Sequence, residues 1–225
     1  MSIEDLIILG AGGGTGELIS LMRQAQLLTG HSVNWEIKGI LDDNEDLIGQ
    51  KVAGVPVLGT LADIGAYPDS RVITGIANPR TPGIRLSIAA RMDLPVQRWA
   101  SFVHPQALVL GSATIGSGTI VYPGVVVSSD ARIGMHALAY YGAILHHDST
   151  VSDGSILCAG VRVAGQVTIG RGCYLGIGST VRDHVKIGDG ALIGMGAVVI
   201  NDVDPGQTVA GVPARPLERS KLQRK

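Results

Sequence analysis

Val109, Ile115, Val121, Val127, Ile133, Ala139, Leu145, Val151, Leu157, Val163, Ile169, Leu175, Val181, Ile187, Ile193, Val199: from residue 109 to residue 199 every sixth residue is aliphatic. Two positions before most of them stands a small or β-branched residue, among them Ala113, Thr119, Ala131, Ser149, Val167 and Ala197. One position after, glycine recurs at Gly116, Gly134, Gly170, Gly176, Gly188 and Gly194. A helix repeats every 3.6 residues and a strand every two, so neither produces a strict six. Six is the period of a parallel β-helix built of hexads. Each hexad reads as a short strand and a corner, and three hexads close one triangular coil. Five coils account for the ninety residues of the run. The aliphatic residue is expected to point inward and stack on its equivalent one coil away. The glycine after it is expected at the corner, where its backbone freedom would be used.

Composition agrees. The chain has 225 residues, 45% of them hydrophobic, which is enough for a core and too much for disorder. Aromatic residues are only 4% and glycines number 32, as suits stacked coils with many turns. A formal net charge of −1 offers no attraction to nucleic acid or an anionic membrane, and neither is expected as a partner. Cys158 and Cys173 make neither a disulfide framework nor a metal knuckle. Residues 1–20 lack a basic leader pattern and no apolar run reaches membrane length, so a soluble cytoplasmic protein is expected.

Upstream of the coils the pattern changes. Residues 5–9 read as a buried strand, followed by Gly10-Ala11-Gly12-Gly13-Gly14-Thr15-Gly16 and an amphipathic helix over residues 17–28. Strand, glycine-rich turn and helix form a phosphate-binding arrangement, since glycine lets the backbone approach an anion and a helix N-terminus supplies N–H donors. The spacing fits GxxxGxG rather than GxGxxG, and a tight turn without ligand fits it as well. A second strand over residues 35–41 ends at Asp42-Asp43, where nucleotide-binding folds place an acid against a ribose or base. Asp42-Asp43-Asn44 is equally good turn chemistry. Strands near residues 55–58 and 72–75, a small helix over 61–66, a helix over about 83–92 and an extended piece over 97–103 complete a β/α unit. It is too short for a whole dinucleotide fold and looks like half of one. The expected domains are therefore residues 1–103, half-Rossmann, and residues 104–225, coil and tail.

Six histidines are present: His31, His104, His136, His146, His147 and His184. His104, before Pro105, reads as structural. Among aliphatic coils, His146-His147-Asp148 is out of place. Imidazole titrates near pH 6.5 when unperturbed, which suits a base at neutral pH. A carboxylate on one ring nitrogen fixes the tautomer. Neighbours on a strand point to opposite faces, so His147 and Asp148 can meet only at a corner or across a subunit boundary. Two solvated corner residues are the alternative. A metal would need three or four converging ligands. His136, His146 and His147 could converge only between subunits, and the spacing of γ-class carbonic anhydrases, one His five residues after another, is absent. No metal is expected.

Together these stretches resemble the nucleotide-sugar acetyltransferases of the left-handed β-helix class. That family includes enzymes acetylating 4-amino sugars such as perosamine or the bacillosamine precursor, and sialic-acid O-acetyltransferases. The resemblance spans nearly the whole chain and rests on Leu9-Gly10-Ala11-Gly12-Gly13, Gly39-Ile40-Leu41-Asp42-Asp43, Phe102-Val103-His104-Pro105, Ile144-Leu145-His146-His147-Asp148 and Ala210-Gly211-Val212-Pro213-Ala214-Arg215. It implies left-handed coils, a homotrimer with active sites between neighbours, and acetyl-CoA as cosubstrate. It implies a nucleotide-linked amino sugar held through Gly12, Gly13, Gly14, Asp42, Asp43 and Asn78. In the resemblance His147 takes the proton of the sugar amine, Asp148 orients His147, and the N–H of Gly165 faces the thioester oxygen. Ile156, Ile177 and Met195 fall at acetyl-CoA-binding positions. Some members carry His in place of Ile156 and Asn in place of Tyr140.

The reading favoured is acetyl-CoA-dependent N-acetylation of a nucleotide-linked 4-amino-deoxy sugar. O-acetylation of a sugar hydroxyl fits the same scaffold. A non-catalytic nucleotide-sugar-binding trimer fits too, and would not need acetyl-CoA. A nicotinamide-dependent oxidoreductase is invited by GxxxGxG, but the remaining strands and a Tyr-x-x-x-Lys are missing.

Overall fold

A computed structural model describes residues 4–29, 35–78, 81 and 83–217. His31, Pro79 and Arg80 lie outside the described residues. The N-terminal part is a five-stranded sheet. Its strands are β1 (Glu4–Leu9), β2 (Trp35–Leu41), β3 (Lys51–Val52), β4 (Val55–Gly59) and β5 (Arg71–Thr74), in the order β3-β4-β2-β1-β5. Only β3 runs antiparallel, forming a hairpin with β4 that the sequence reading missed. Helix α1 (Gly13–Thr29) follows β1, and α2 (Ile84–Met92) follows β5. Leu6, Ile7, Ile8 and Leu9 are all fully buried, which fits a central parallel strand covered on both faces.

Two differences from the sequence reading have local causes. Helix α1 begins at Gly13, not residue 17. Its glycine-rich first turn, poor in helix propensity, is held by Thr15, whose N–H and hydroxyl donate to the carbonyls of Gly12 and Gly10 at 2.9 and 2.6 Å. The extended piece expected over residues 97–103 opens instead as a 3₁₀ turn, Val96–Arg98. Arg98 donates to the carbonyls of Ser70 and Tyr67, and the chain then runs parallel to β5 through a bridge between Val72 and Trp99.

The hexads form two-residue strands on three faces, each strand pairing in parallel with one eighteen residues away. The first face carries Val126–Val127 and Ile144–Leu145, the second Arg132–Ile133 and Thr150–Val151, and the third Leu138–Ala139 and Ile156–Leu157. Phe102–Val103 already pair with Ile120–Val121, so the coil takes the chain over just ahead of residue 104. Inward-pointing Leu145, Val163, Val181 and Val199 are buried, as are the small residues Ala131, Ser149, Val167 and Val185. Thr208–Ala210 extends the third face and turns back on Arg215–Pro216.

The corner glycines are corrected by the structure. Gly116, Gly134, Gly170, Gly176, Gly188 and Gly194 do not have positive φ. They are needed because consecutive coils approach too closely for a side chain: a Cβ on Gly116 would lie 2.6 Å from the backbone of Gly134, and one on Gly176 would lie 2.6 Å from the nitrogen of Met195. The left-handed conformation falls two residues later. It recurs every six residues from Gly118 to Gly196, mostly at glycine but also at Asp130, His136, Asp148, Gln166 and His184.

Candidate active site

His147 and Asp148 are the turn residues between a first-face and a second-face strand. On an extended strand their side chains would diverge. Here Asp148 adopts φ 57°, and the turn swings its carboxylate back to His147: Nδ1 and Oδ2 are 2.8 Å apart. A carboxylate can only accept, so in the neutral ring Nδ1 carries the hydrogen and Nε2 presents its lone pair. One coil on stands Gly165. A Cβ there would lie 2.7 Å from Nε2 and from Cε1 of His147, so the ring leans across a position that must lack a side chain. Among the described residues the N–H of Gly165 finds no acceptor, while Gln166 N–H is held by the His147 carbonyl at 3.0 Å. The structure thus unites His147, Asp148 and Gly165, all exposed or half-buried.

Ile177 and Met195 lie elsewhere. They stack at the corner between the third and first faces, 58% and 78% exposed, with Gly196 N–H donating to the Ile177 carbonyl. Tyr141 and Ala159 continue this apolar ridge downward in eighteen-residue steps. Within one chain a whole face separates the ridge from His147. Ile156 is on the third face, 2% exposed between Leu138 and Tyr174, and is not brought to His147.

In the N-terminal half, Gly12 and Gly13 are exposed at the start of α1, and a Cβ on either would meet nothing within 4 Å. Among the described residues no hydrogen bond occupies the N–H groups of Gly12, Gly13 or Gly14. Asp42 braces this loop: its Oδ2 accepts from Ala11 N–H at 2.6 Å and its Oδ1 from Asn44 N–H at 2.9 Å. Asp43 faces away toward α2, where both guanidinium nitrogens of Arg91 grip its carboxylate and Leu61 N–H donates at 3.3 Å. The Arg91 hydrogen bond holds the Asp43 carboxyl below its ordinary pKa. Asn78 lies exposed beyond β5, its carbonyl accepting from Thr81 N–H at 3.2 Å.

A family model for bacterial transferase hexapeptide (six repeats) matches residues 166–201. No curated protein matches the chain. Several solved structures do. A histidine-to-alanine mutant of GDP-perosamine N-acetyltransferase from Caulobacter crescentus, in complex with CoA and GDP-perosamine, is 26% identical over 96% of this chain and 98% of that one, with a TM-score of 0.81. The acetyltransferase domain of PglB from Neisseria gonorrhoeae FA1090 is 28% identical over 95% of this chain and 100% of that one, with a TM-score of 0.79. WeeI from Acinetobacter baumannii AYE is 27% identical over 95% and 100%, with a TM-score of 0.65. The chain has the fold of the left-handed β-helix acetyltransferases.

What joins the two halves of this chain is a residue the sequence did not single out. Arg85, fully buried on α2, donates from Nε to the carbonyl of His136 at 2.6 Å and from Nη2 to that of Gly118 at 3.2 Å, both on the coil. Its Nη1 reaches the carbonyls of Thr74 and Ile76 at 2.7 and 3.1 Å, at the end of β5. No carboxylate is among these partners, and burial lowers its pKa to about 10. The one sequence signal is a charged residue on the helix stripe of Ile88 and Ala89. His136, weighed above only in the metal option that was set aside, is buried edge-on to Trp99, ring centroids 4.6 Å apart. Burial, and then the charge of Arg85, depress its pKa to about 4. His104 is likewise buried, its Nδ1 accepting from Gln106 N–H at 3.2 Å. No group of three or more His, Cys, Asp or Glu side chains converges as metal ligands would among the described residues, and no described helix is long and apolar enough to cross a membrane.

Proposed function

We propose that this acetyltransferase moves the acetyl group of acetyl-CoA to the amino group of a nucleotide-linked 4-amino-deoxy sugar, in the cytoplasm. The observation that carries the reading is the His147–Asp148 pair, 2.8 Å apart, leaning over Gly165. Its Nε2 is free to take a proton from the amine as nitrogen attacks the thioester carbonyl. Asp148 holds the tautomer and stabilises the imidazolium that forms. The unbonded N–H of Gly165 can donate to the oxyanion of the tetrahedral intermediate. Collapse expels CoA thiolate, which receives the proton from His147. No acyl-enzyme is required, since holding amine and thioester together supplies much of the acceleration.

The reading gives the three glycine N–H groups at α1 the nucleotide diphosphate, as helix N-termini bind anions. Asn78 flanks that loop. Asp42 shapes it through Ala11, and Asp43 through Arg91 fixes the neighbouring turn, so their contribution to nucleotide binding runs first through the loop itself. Ile177 and Met195 offer an apolar ridge to the pantetheine arm. Because that ridge and His147 lie on different corners of one chain, the site is complete only where the ridge of one protomer meets the His147 corner of the next. A homotrimer does this. The first face is the more apolar of the two that flank His147: outward along it stand Leu108, Val126, Ile144 and Val198, interrupted by Arg162 and Thr180, while the second face presents Thr114, Arg132, Thr168 and Lys186 to water. Buried Ile156 enters the site only as the wall behind Tyr174 and Leu138.

The test is CoA release from acetyl-CoA against UDP-, dTDP- and GDP-linked 4-amino sugars and their hydroxyl counterparts. Release with an amino sugar and none with its hydroxyl partner is the expected result. Release with hydroxyl sugars alone would reassign the chain to O-acetylation. A monomer by light scattering would sink the shared site.

A further inference from the structure

We infer that Glu17 and Tyr141 form the subsite that selects a cationic amino group on the acceptor sugar. The inference rests on the acetyltransferase reading above and names what that reading leaves open, the feature distinguishing amine from hydroxyl.

Glu17 stands four residues after Gly13 on α1, so the two share one face, one turn apart. Tyr141 is at the foot of the corner ridge that Ile177 and Met195 continue. Across the seam between the two halves the Tyr141 hydroxyl donates to Glu17 Oε1 at 2.9 Å. The Tyr141 ring is fixed by stacking on Tyr122, centroids 5.0 Å apart, and Tyr122 leans on Tyr140 at 4.8 Å. Tyr140 in turn reaches the glycine loop, its hydroxyl 3.9 Å from where a Cβ of Gly14 would be. Three of the five tyrosines of an aromatic-poor chain are gathered here.

Position and charge give the pair its role. A sugar tethered by its diphosphate at Gly12–Gly14 and attacking a thioester at the end of the pantetheine ridge must pass between loop and ridge. Glu17 and Tyr141, both exposed, stand at that passage. A carboxylate one turn from an anion-binding helix end repels a diphosphate, opposing the favourable helix field. The repulsion is offset only when the ligand brings a positive charge. An amino sugar does so as its ammonium; a hydroxyl sugar does not. Burial and the bond to Glu17 push the Tyr141 phenol up to about 12, so it remains a neutral donor that fixes the carboxylate's direction. The ammonium binds to Glu17 and loses one proton to solvent. The neutral amine then attacks, and its second proton goes to His147.

Binding of a nucleoside-diphosphate 4-amino sugar and of its 4-hydroxyl analogue, each without acetyl-CoA, tests this by calorimetry on the wild type, Glu17→Gln and Tyr141→Phe. The wild type is expected to bind the amino ligand at least tenfold more tightly. Glu17→Gln is expected to erase that preference and raise the amino-sugar KM about tenfold with kcat within twofold. Tyr141→Phe is expected to give a several-fold smaller effect in the same direction. Because Glu17 is on the surface, unchanged melting temperatures will separate recognition from folding. Wild-type N-acetylation with an unaltered preference in Glu17→Gln overturns the inference alone. A wild type that fails to acetylate any amino sugar overturns it together with the function beneath it.

Discussion

The imidazole of His147 and the missing side chain of Gly165 act as one device. His147→Ala is expected to lower turnover about a hundredfold or more, the usual contribution of a general base, with acetyl-CoA binding unchanged by calorimetry. Gly165→Ala keeps the base but places a methyl group where its ring lies, and displacement of about 1 Å is enough to cost tenfold to a hundredfold. Single-turnover rates will measure both. His136 supplies a different expectation. Its folded pKa near 4 is below the unfolded value near 6.5, so between these limits the unfolded chain takes up a proton that the folded chain refuses. Stability is therefore full above about pH 6.5 and falls as pH drops toward 4, by up to about 3 kcal/mol. His136→Asn, whose short side chain tolerates the left-handed backbone, should flatten this dependence in urea titrations at pH 7.5 and 5. His104, buried and also depressed, will leave a residual slope.

Within a coil, two kinds of glycine do different work. Gly176→Ala drives a Cβ to 2.6 Å from the next coil's backbone nitrogen, so the stack must part, and a loss of about 3 kcal/mol is expected. Gly178→Ala meets open space and suffers only the left-handed backbone at φ 66°, about 1–2 kcal/mol. Gly178→Asn should lose less than Gly178→Ala, whereas Gly176→Asn should be worse than Gly176→Ala. Denaturant midpoints decide the comparison. From sequence the hexad period was enough to place every inward residue, because stacking leaves a one-dimensional mark. The reason for each glycine was not legible: a glycine after the aliphatic and one two places later look alike until the spacing between coils is seen. The first turn of α1 was hidden for a similar reason, since glycine signals a loop and only Thr15 reveals the helix.

For the whole molecule, Arg85 is the joint. Four of its N–H groups serve four carbonyls, two from each half of the chain, so Arg85→Met strands those acceptors in the core. A loss of about 3 kcal/mol or more is expected, with limited proteolysis releasing the N-terminal half before the coil unfolds. Arg85→Lys should recover little, because an ammonium cannot span the same fork. This joint explains which part of the site the sequence could disclose. His147 and Asp148 are neighbours in the chain, and a turn brings them together. Glu17 and Tyr141 are 124 residues apart, and only the packing of α1 on the coil makes them a pair. Likewise Asp42 and Asp43 read as twin nucleotide contacts, whereas Ala11 and Arg91 engage them separately.

Strands in the coil repeat every eighteen residues with no change of face, so the shaft has length but no phase. Removing or adding eighteen residues between Gly165 and Met195 would leave each remaining ladder in register and shift the far end by one strand spacing, about 4.8 Å. The distance from the reacting end to the tip of the ridge is thus set in whole steps, like the marks of a ruler. A ridge that carries acetyl-CoA as proposed would gauge its cosubstrate by counting turns.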